Sequence, residues 1–215
     1  KYLVSLNIIQ LNTVNKKNRT ILFYSTNKEI LRYLLSLNSI DLTIKDKNKQ
    51  TVLFKLCENG YLDLIVDIFD KFNLLDVDNK CQTVLYYAAK SGNLDLFYFL
   101  ESKMNDYAHK DEKGETVLFT ACKYGKVDIV KNIINHFNLN DRNNLNETVV
   151  FYAVSSGNMK LVSYLYDINA ELFSLQNEFG ETLLYPALYH DYDFVMIDYL
   201  IKLNIIDLSS THSYI

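Results

Sequence analysis

The residues able to do chemistry are few and dispersed. Three cysteines, Cys57, Cys81 and Cys122, include no CxxC pair, and His109, His136, His190 and His212 stand far from one another and from any cysteine. A zinc site needs ligands at close, regular spacing, so neither set predicts one. Cys81 has no neighbouring base to hold it as a thiolate, which an attacking sulfur requires. Cys57 and Cys122 follow Thr51 and Thr116, at the head of two similar phrases, by the same six residues, the mark of core fillers. The odd cysteine count does not suit a disulfide framework and fits a reducing compartment. GxxxxGKS/T, GxGxxG, GxSxG and HExxH are all absent. Acidic residues are spread over polar links rather than set in converging pairs. The expectation is a non-enzyme with no catalytic residue, no cofactor and no metal.

Charge narrows the partner class. Lys and Arg number 22 against 26 Asp and Glu, a net charge of −4. Phosphate backbones are held by an excess of basic residues, so no nucleic acid is expected as partner. No run of 18 apolar residues occurs, so no membrane insertion is expected. The cysteine usage gives the expectation of an intracellular, cytoplasmic location. Apolar residues make up 49 %, enough for a substantial core, while one Pro and six Gly are too few for a sandwich of many short strands.

The elements that carry these side chains are written several times over. TVLFKLCENG (51–60), TVLYYAAKSG (83–92), TVLFTACKYG (116–125) and TVVFYAVSSG (148–157) are variants of one phrase. Its threonine recurs as Thr20, Thr51, Thr83, Thr116, Thr148 and Thr182. Three residues later stands an aromatic: Phe23, Phe54, Tyr86, Phe119, Phe151 or Tyr185. Five residues later a small residue dominates, as Ser25, Ala88, Ala121, Ala153 and Ala187, with Leu56 the exception. Nine residues later comes Gly60, Gly92, Gly125 or Gly157, then Asp191 in the sixth copy.

Thr before an apolar run predicts a helix N-cap whose hydroxyl accepts a first-turn amide. The glycine supplies the left-handed residue that ends a two-turn helix. A second helix follows, with apolar residues at i, i+1 and i+4: Leu64, Ile65 and Ile68; Leu96, Phe97 and Leu100; Ile129, Val130 and Ile133; Leu161, Val162 and Leu165; Met196, Ile197 and Leu200. Two such short helices cannot stand alone and must bury their stripe against neighbouring copies. The predicted fold class is all-α: stacked helix-turn-helix repeats joined by short hairpin-like links. The boundaries are 1–14 for the second half of a preceding repeat, then 15–45, 46–77, 78–110, 111–142, 143–176 and 177–208 for repeats 1 to 6. Residues 209–215 begin the next link or a tail. Repeat 1 lacks about three residues, and repeat 6 has Pro186 four after its threonine, so both first helices are expected to be short or distorted. Tyr2, Leu3, Leu6 and Ile9 would lie uncovered without a further repeat ahead of them, and additional repeats are expected in the full-length chain.

Residues 111–134, DEKGETVLFTACKYGKVDIVKNII, resemble the ankyrin repeat, D-x-x-G-x-T-P-L-H-x-A-x-x-x-G-x-x-x-I-V-x-x-L-L. The matching positions are Asp111, Gly114, Thr116, Leu118, Ala121, Gly125, Ile129 and Val130. The likeness covers six copies in phase. The family's Pro after Thr is aliphatic here, and its His is an aromatic, so an aromatic ladder is expected where the family uses hydrogen bonds. The resemblance implies an ankyrin-like α-solenoid and a scaffold that binds another protein through its tips and the exposed face of each first helix. Carried onto this chain, the contact positions are Lys47, Asn48 and Gln50; Asn79, Lys80, Gln82 and Lys90; Glu112, Lys113, Glu115, Lys123 and Tyr124; Glu147 and Ser155. Tyr124 is the expected anchor, tyrosine being enriched where binding energy concentrates. The alternative is a substrate-receptor or spacer segment of a larger enzyme or channel. A monomer is expected. Early tips are basic (Lys16, Lys17, Arg19, Lys45, Lys47, Lys49) and later ones acidic (Glu112, Glu115, Glu147, Glu178, Glu181), which predicts an edge of changing charge.

Overall fold

The threonine-led segments fold as paired short helices. The computed structural model describes residues 10–189, 194–203 and 205. Residues 1–9, His190, Asp191, His212 and the 209–215 tail lie outside the described residues. The chain divides into two compact units, Lys1–Asn105 and Asp106–Ile215. Among the described residues there is no β-strand.

The first unit opens with a 3-10 turn, Ile21–Phe23, where repeat 1 is short of residues. Its helices are α1 (Lys28–Leu35), α2 (Val52–Glu58), α3 (Leu62–Ile65), α4 (Val84–Ser91) and α5 (Leu94–Met104). The first helix of one repeat lies on the first helix of the next, α2 on α4, and each packs on its own second helix. The second unit contains α6 (Val117–Lys123), α7 (Val127–Ile133), α8 (Val149–Ser155), α9 (Met159–Ile168), α10 (Leu184–Tyr189) and α11 (Val195–Lys202). Here α6 packs on α8 and α8 on α10. The i, i+1, i+4 stripes of α3, α5, α7 and α9 are all buried, as are Ala88, Ala121 and Ala153, which let the stacked helices come close. Truncating one of these leucines or isoleucines to Ala is expected to cost about 2–5 kcal/mol.

One sequence expectation is corrected here. The threonines stand at the N-cap positions of α2, α4, α6 and α8, but none of these side chains caps its helix. They are buried in the stack, and the hydroxyl of Thr148 has no partner at all. The threonine carbonyl opens the helix instead, accepting the amide three residues on, as in Phe54 to Thr51 at 3.3 Å and Phe119 to Thr116 at 3.0 Å. Only Thr182 brings its oxygen near a first-turn amide, that of Leu184 at 3.4 Å. In repeat 6 the first helix starts late: α10 begins two residues after Thr182, where α2, α4, α6 and α8 begin one after their threonine, and Pro186 falls in its first turn, where a missing N–H removes no intrahelical bond.

The repeats also alternate in type. Asn27, Asn93 and Asn158 cap the second helices of repeats 1, 3 and 5 with their side chains. Tyr61 and Lys126 stand at the same place in repeats 2 and 4 and do not. In those two repeats the second helix is short, Leu62–Ile65 and Val127–Ile133, against Leu94–Met104 and Met159–Ile168 in repeats 3 and 5; 3-10 turns follow at Phe69–Lys71, Ile134–His136 and, in repeat 5, Ala170–Ser174. Asn93 Nδ2 donates to the Gly60 carbonyl at 2.9 Å, and Asn158 Nδ2 to that of Gly125 at 2.9 Å. A side chain at Gly60, whose φ is +71°, would sit 3.2 Å from the Asn93 Cβ. The structural period is therefore two repeats, with repeats 2 and 3 tied as one pair and 4 and 5 as another.

Candidate functional site

An Asp or Asn five residues before the threonine shapes each tip. Its Oδ1 accepts two backbone amides: Asp46 from Asn48 and Gln50, Asp78 from Lys80 and Gln82, Asp111 from Lys113 and Glu115. Asn143 and Asn177 do the same in repeats 5 and 6. The residue two before the threonine then takes a left-handed φ, which costs Gly114 nothing but holds Lys49, Cys81 and Asn146 at φ near +60°. Neighbouring tips join by backbone bonds, Asn79 N to Asn48 O at 2.9 Å and Asn144 N to Lys113 O at 2.8 Å. Within each unit the tips are thus held in register by the chain itself, and the side chains at their tops, such as Lys47, Lys80 and Lys113, face solvent.

The base of each tip is closed by a tyrosine four residues after the threonine in repeats 3 and 5. The Tyr87 ring meets Phe54 edge-to-face at 5.3 Å, and Tyr152 meets Phe119 at 5.4 Å. The expected aromatic ladder therefore includes steps from the third position of one repeat to the fourth of the next. The Tyr87 hydroxyl donates to Asp78 at 2.7 Å and accepts from the Gln50 side-chain amide at 2.5 Å. The Tyr152 hydroxyl donates to Glu115 and accepts from Asn143 Nδ2 at 3.0 Å. Acid and amide have exchanged places between the two pairs, so each phenol keeps one carboxylate and one amide. Burial pushes the Glu115 carboxyl up, and Asp111 adds to it; the Tyr152 bond, Lys113 and Lys123 oppose. Burial and the Glu115 carboxylate push the Tyr152 phenol up. Asn143 also bonds Glu147, so two carboxylates do approach one phenol, contrary to the sequence reading of acids without convergence. A phenol held protonated beside an accepting carboxylate is a structural tie, not an activated nucleophile.

Other reactive groups are similarly engaged. Burial pushes the Cys57 and Cys122 thiols well above their usual value. Cys81 is exposed on its tip. Tyr107 stacks on His136 at 4.3 Å, and His109 faces Asp106 at 4.0 Å. Among the described residues, no group of three or more His, Cys, Asp or Glu is placed to hold a metal ion.

The side chains anticipated to meet a partner separate into three groups. Lys47, Asn48, Asn79, Lys80, Glu112 and Lys113 are exposed on tips, and Lys123 and Tyr124 are exposed at the end of α6. Gln50, Gln82, Lys90, Glu147 and Ser155 are half-buried. Lys90 is engaged with Glu58 of the preceding repeat at 2.6 Å. Glu115 does not belong to the surface: it is 4 % exposed, because Tyr152 covers it and takes its carboxylate as acceptor. In the second unit the structure brings Lys123, Glu147 and Ser155 together around one cavity of about 240 Å³, with Tyr152, Tyr185 and Pro186 completing its wall. The last three were not anticipated. Tyr185 gives a signal only in hindsight, since it is 51 % exposed where the aromatics at the same position in repeats 1 to 5 are buried.

The sequence matches the family model described as "Ankyrin repeats (3 copies)" over residues 26–111 and 85–174, more than half of the chain. The chain belongs to the ankyrin-repeat family. No curated protein is significantly similar to it. The ankyrin-like α-solenoid read from the sequence is thus the fold, and ankyrin repeats are generally protein–protein interaction modules. No helix among the described residues is long and apolar enough to cross a membrane.

Proposed function

We propose that this ankyrin array is a non-catalytic scaffold that holds another protein against its tips and first-helix faces. The observation that carries the reading is the contrast between the base and the top of each tip. At the base, the polar groups of Asp46, Asp78, Asp111, Asn143 and Asn177 are buried and spent on holding the turn. At the top, Lys47, Asn48, Asn79 and Lys80 of the first unit and Glu112 and Lys113 of the second are exposed on backbone fixed by repeat-to-repeat hydrogen bonds within each unit, and Lys123 and Tyr124 are exposed at the end of α6. Solvated side chains on fixed backbone lower the ordering cost that a partner would otherwise meet on binding. The test is affinity capture with the 215-residue chain, repeated with two charge-reversed forms, K47E/K80E and E112K/E147K. At least one reversal is expected to lose most of the captured partner. A partner held equally by both forms would place binding elsewhere and overturn the reading.

A further inference from the structure

The cavity of the second unit has a more particular chemistry. Repeats 2 and 3 pair Glu58 with Lys90, each seven residues after its threonine. In repeats 4 and 5 the same positions are Lys123 and Ser155. Serine cannot reach Lys123 or fill the space that a lysine stem occupies. Lys123 instead lies over the Tyr152 ring, its Nζ 6.0 Å from the centroid, and the cavity opens between them.

The tips beside it change character in the same place. Three residues before the threonine, the chain reads Lys17, Asn48, Lys80 and Lys113, and then Leu145 and Phe179. Leu145 is 39 % exposed and Phe179 62 %. Their tips are adjacent, Glu178 N donating to the Leu145 carbonyl at 2.9 Å. Leu145 lines the cavity with Tyr185 and Pro186, and Phe179 is exposed on the adjoining tip. Glu147 lines the cavity, and Glu178 and Glu181 belong to the tip joined to that of Leu145; none of the three enters an ion pair among the described residues.

Size and charge select the occupant. A cavity of about 240 Å³ falls below the roughly 300–1,000 Å³ usual for small-molecule sites and suits one inserted side chain. Lys123 at its edge disfavours a cation inside, while the glutamates favour cations just outside. Residues 106–215 carry 15 Asp and Glu against 8 Lys and Arg, whereas residues 1–105 carry 11 against 14. The field near the cavity therefore draws basic chains.

We infer that the cavity of repeats 4 to 6 takes a leucine- or phenylalanine-type side chain from a partner segment whose flanking residues are Lys or Arg. This deepens the scaffold reading and rests on it. A displayed library of random 12-residue peptides is selected on the 215-residue chain, and the best peptide is measured by fluorescence anisotropy. Enriched peptides are expected to carry an apolar residue between basic ones. S155K, which restores the lysine of repeat 3 and fills the cavity, is expected to weaken binding at least tenfold. E147Q/E178Q should weaken it about fivefold and flatten its salt dependence. Circular dichroism melts confirm that both variants fold. Acid-rich peptides, unchanged affinity on S155K, or no enrichment at all would overturn the inference. The scaffold reading survives that failure if the chain still captures a protein whose binding is lost on K47E/K80E; if it captures none, both fall.

Discussion

Glu115 and Tyr152 show how a residue's role depends on a partner far along the chain. By position, Glu115 is a tip residue like Gln50 or Gln82, and its type predicts a solvated charge. The covering tyrosine lies 37 residues on, so its burial is set by stacking and could not be read from the local phrase. The cysteines were easier, since the same frame position in two repeats already placed Cys57 and Cys122 in the core. Burial raises the folded-state pKa of Glu115 above the unfolded value of about 4.3. The folded chain then binds this proton more tightly than the unfolded one. The stability Glu115 contributes is full below the unfolded pKa and is lost as pH rises through the folded one. Glu115→Gln keeps, in its amide oxygen, an acceptor for the Tyr152 hydroxyl without the charge. The variant is expected to match the wild type near pH 4 and exceed it at pH 7 in urea denaturation. A variant that retained the wild-type loss of stability between those pH values would assign that loss to another carboxylate.

Among elements, the paired helices were legible because their signals are local. Each apolar stripe, closing glycine and threonine lies within one ten-residue phrase or just after it. The alternation between repeats was also present, in Tyr87 and Tyr152 against Lys55 and Thr120, and in Asn93 and Asn158 against Tyr61 and Lys126. A frame of one repeat averages over it, and only the hydrogen bonds show that it matters. Asn158 does two things at once: its Oδ1 accepts from Leu161 N at 3.2 Å and its Nδ2 donates to the Gly125 carbonyl at 2.9 Å. Loss of a capping side chain costs about 0.5–2 kcal/mol and loss of a net hydrogen bond about 0.5–1.5 kcal/mol. Asn158→Ala should therefore lower unfolding stability by about 2 kcal/mol. Lys126→Ala, at the same helix position in repeat 4, removes no side-chain cap and should lower it by less than Asn158→Ala does. Equal effects of the two substitutions in chemical denaturation would show that the alternation carries no stability.

For the molecule as a whole, the pairing of repeats predicts which segments are interchangeable. A solenoid's stability is a sum of repeat terms and nearest-neighbour terms, so exchange of similar repeats should be mild. Here similarity must be judged by type. Writing the sequence of repeat 4 (111–142) in place of repeat 5 (143–176) puts Thr120 where Tyr152 stood and Lys126 where Asn158 stood. It removes the edge-to-face contact with Phe119, the covering of Glu115 and the bond to Gly125. Writing the sequence of repeat 3 (78–110) there keeps a tyrosine and an asparagine, but sets Asp78 where Asn143 was. The glutamine of Gln82 would replace Glu147, and both direct partners of the phenol, Glu115 and the new Asp, would be carboxylates; like charges in a poorly solvated place disfavour each other's ionised form. Adding Glu115→Gln recreates the Gln50, Asp78 and Tyr87 arrangement of the first unit. The expected order in urea is wild type close to the repeat 3 chimera with Glu115→Gln, then the repeat 3 chimera alone, then the repeat 4 chimera, the last lower by at least about 3 kcal/mol. If the two uncorrected chimeras were equally stable, the pair would not be the unit of this fold, and the single thirty-odd-residue repeat would regain that place.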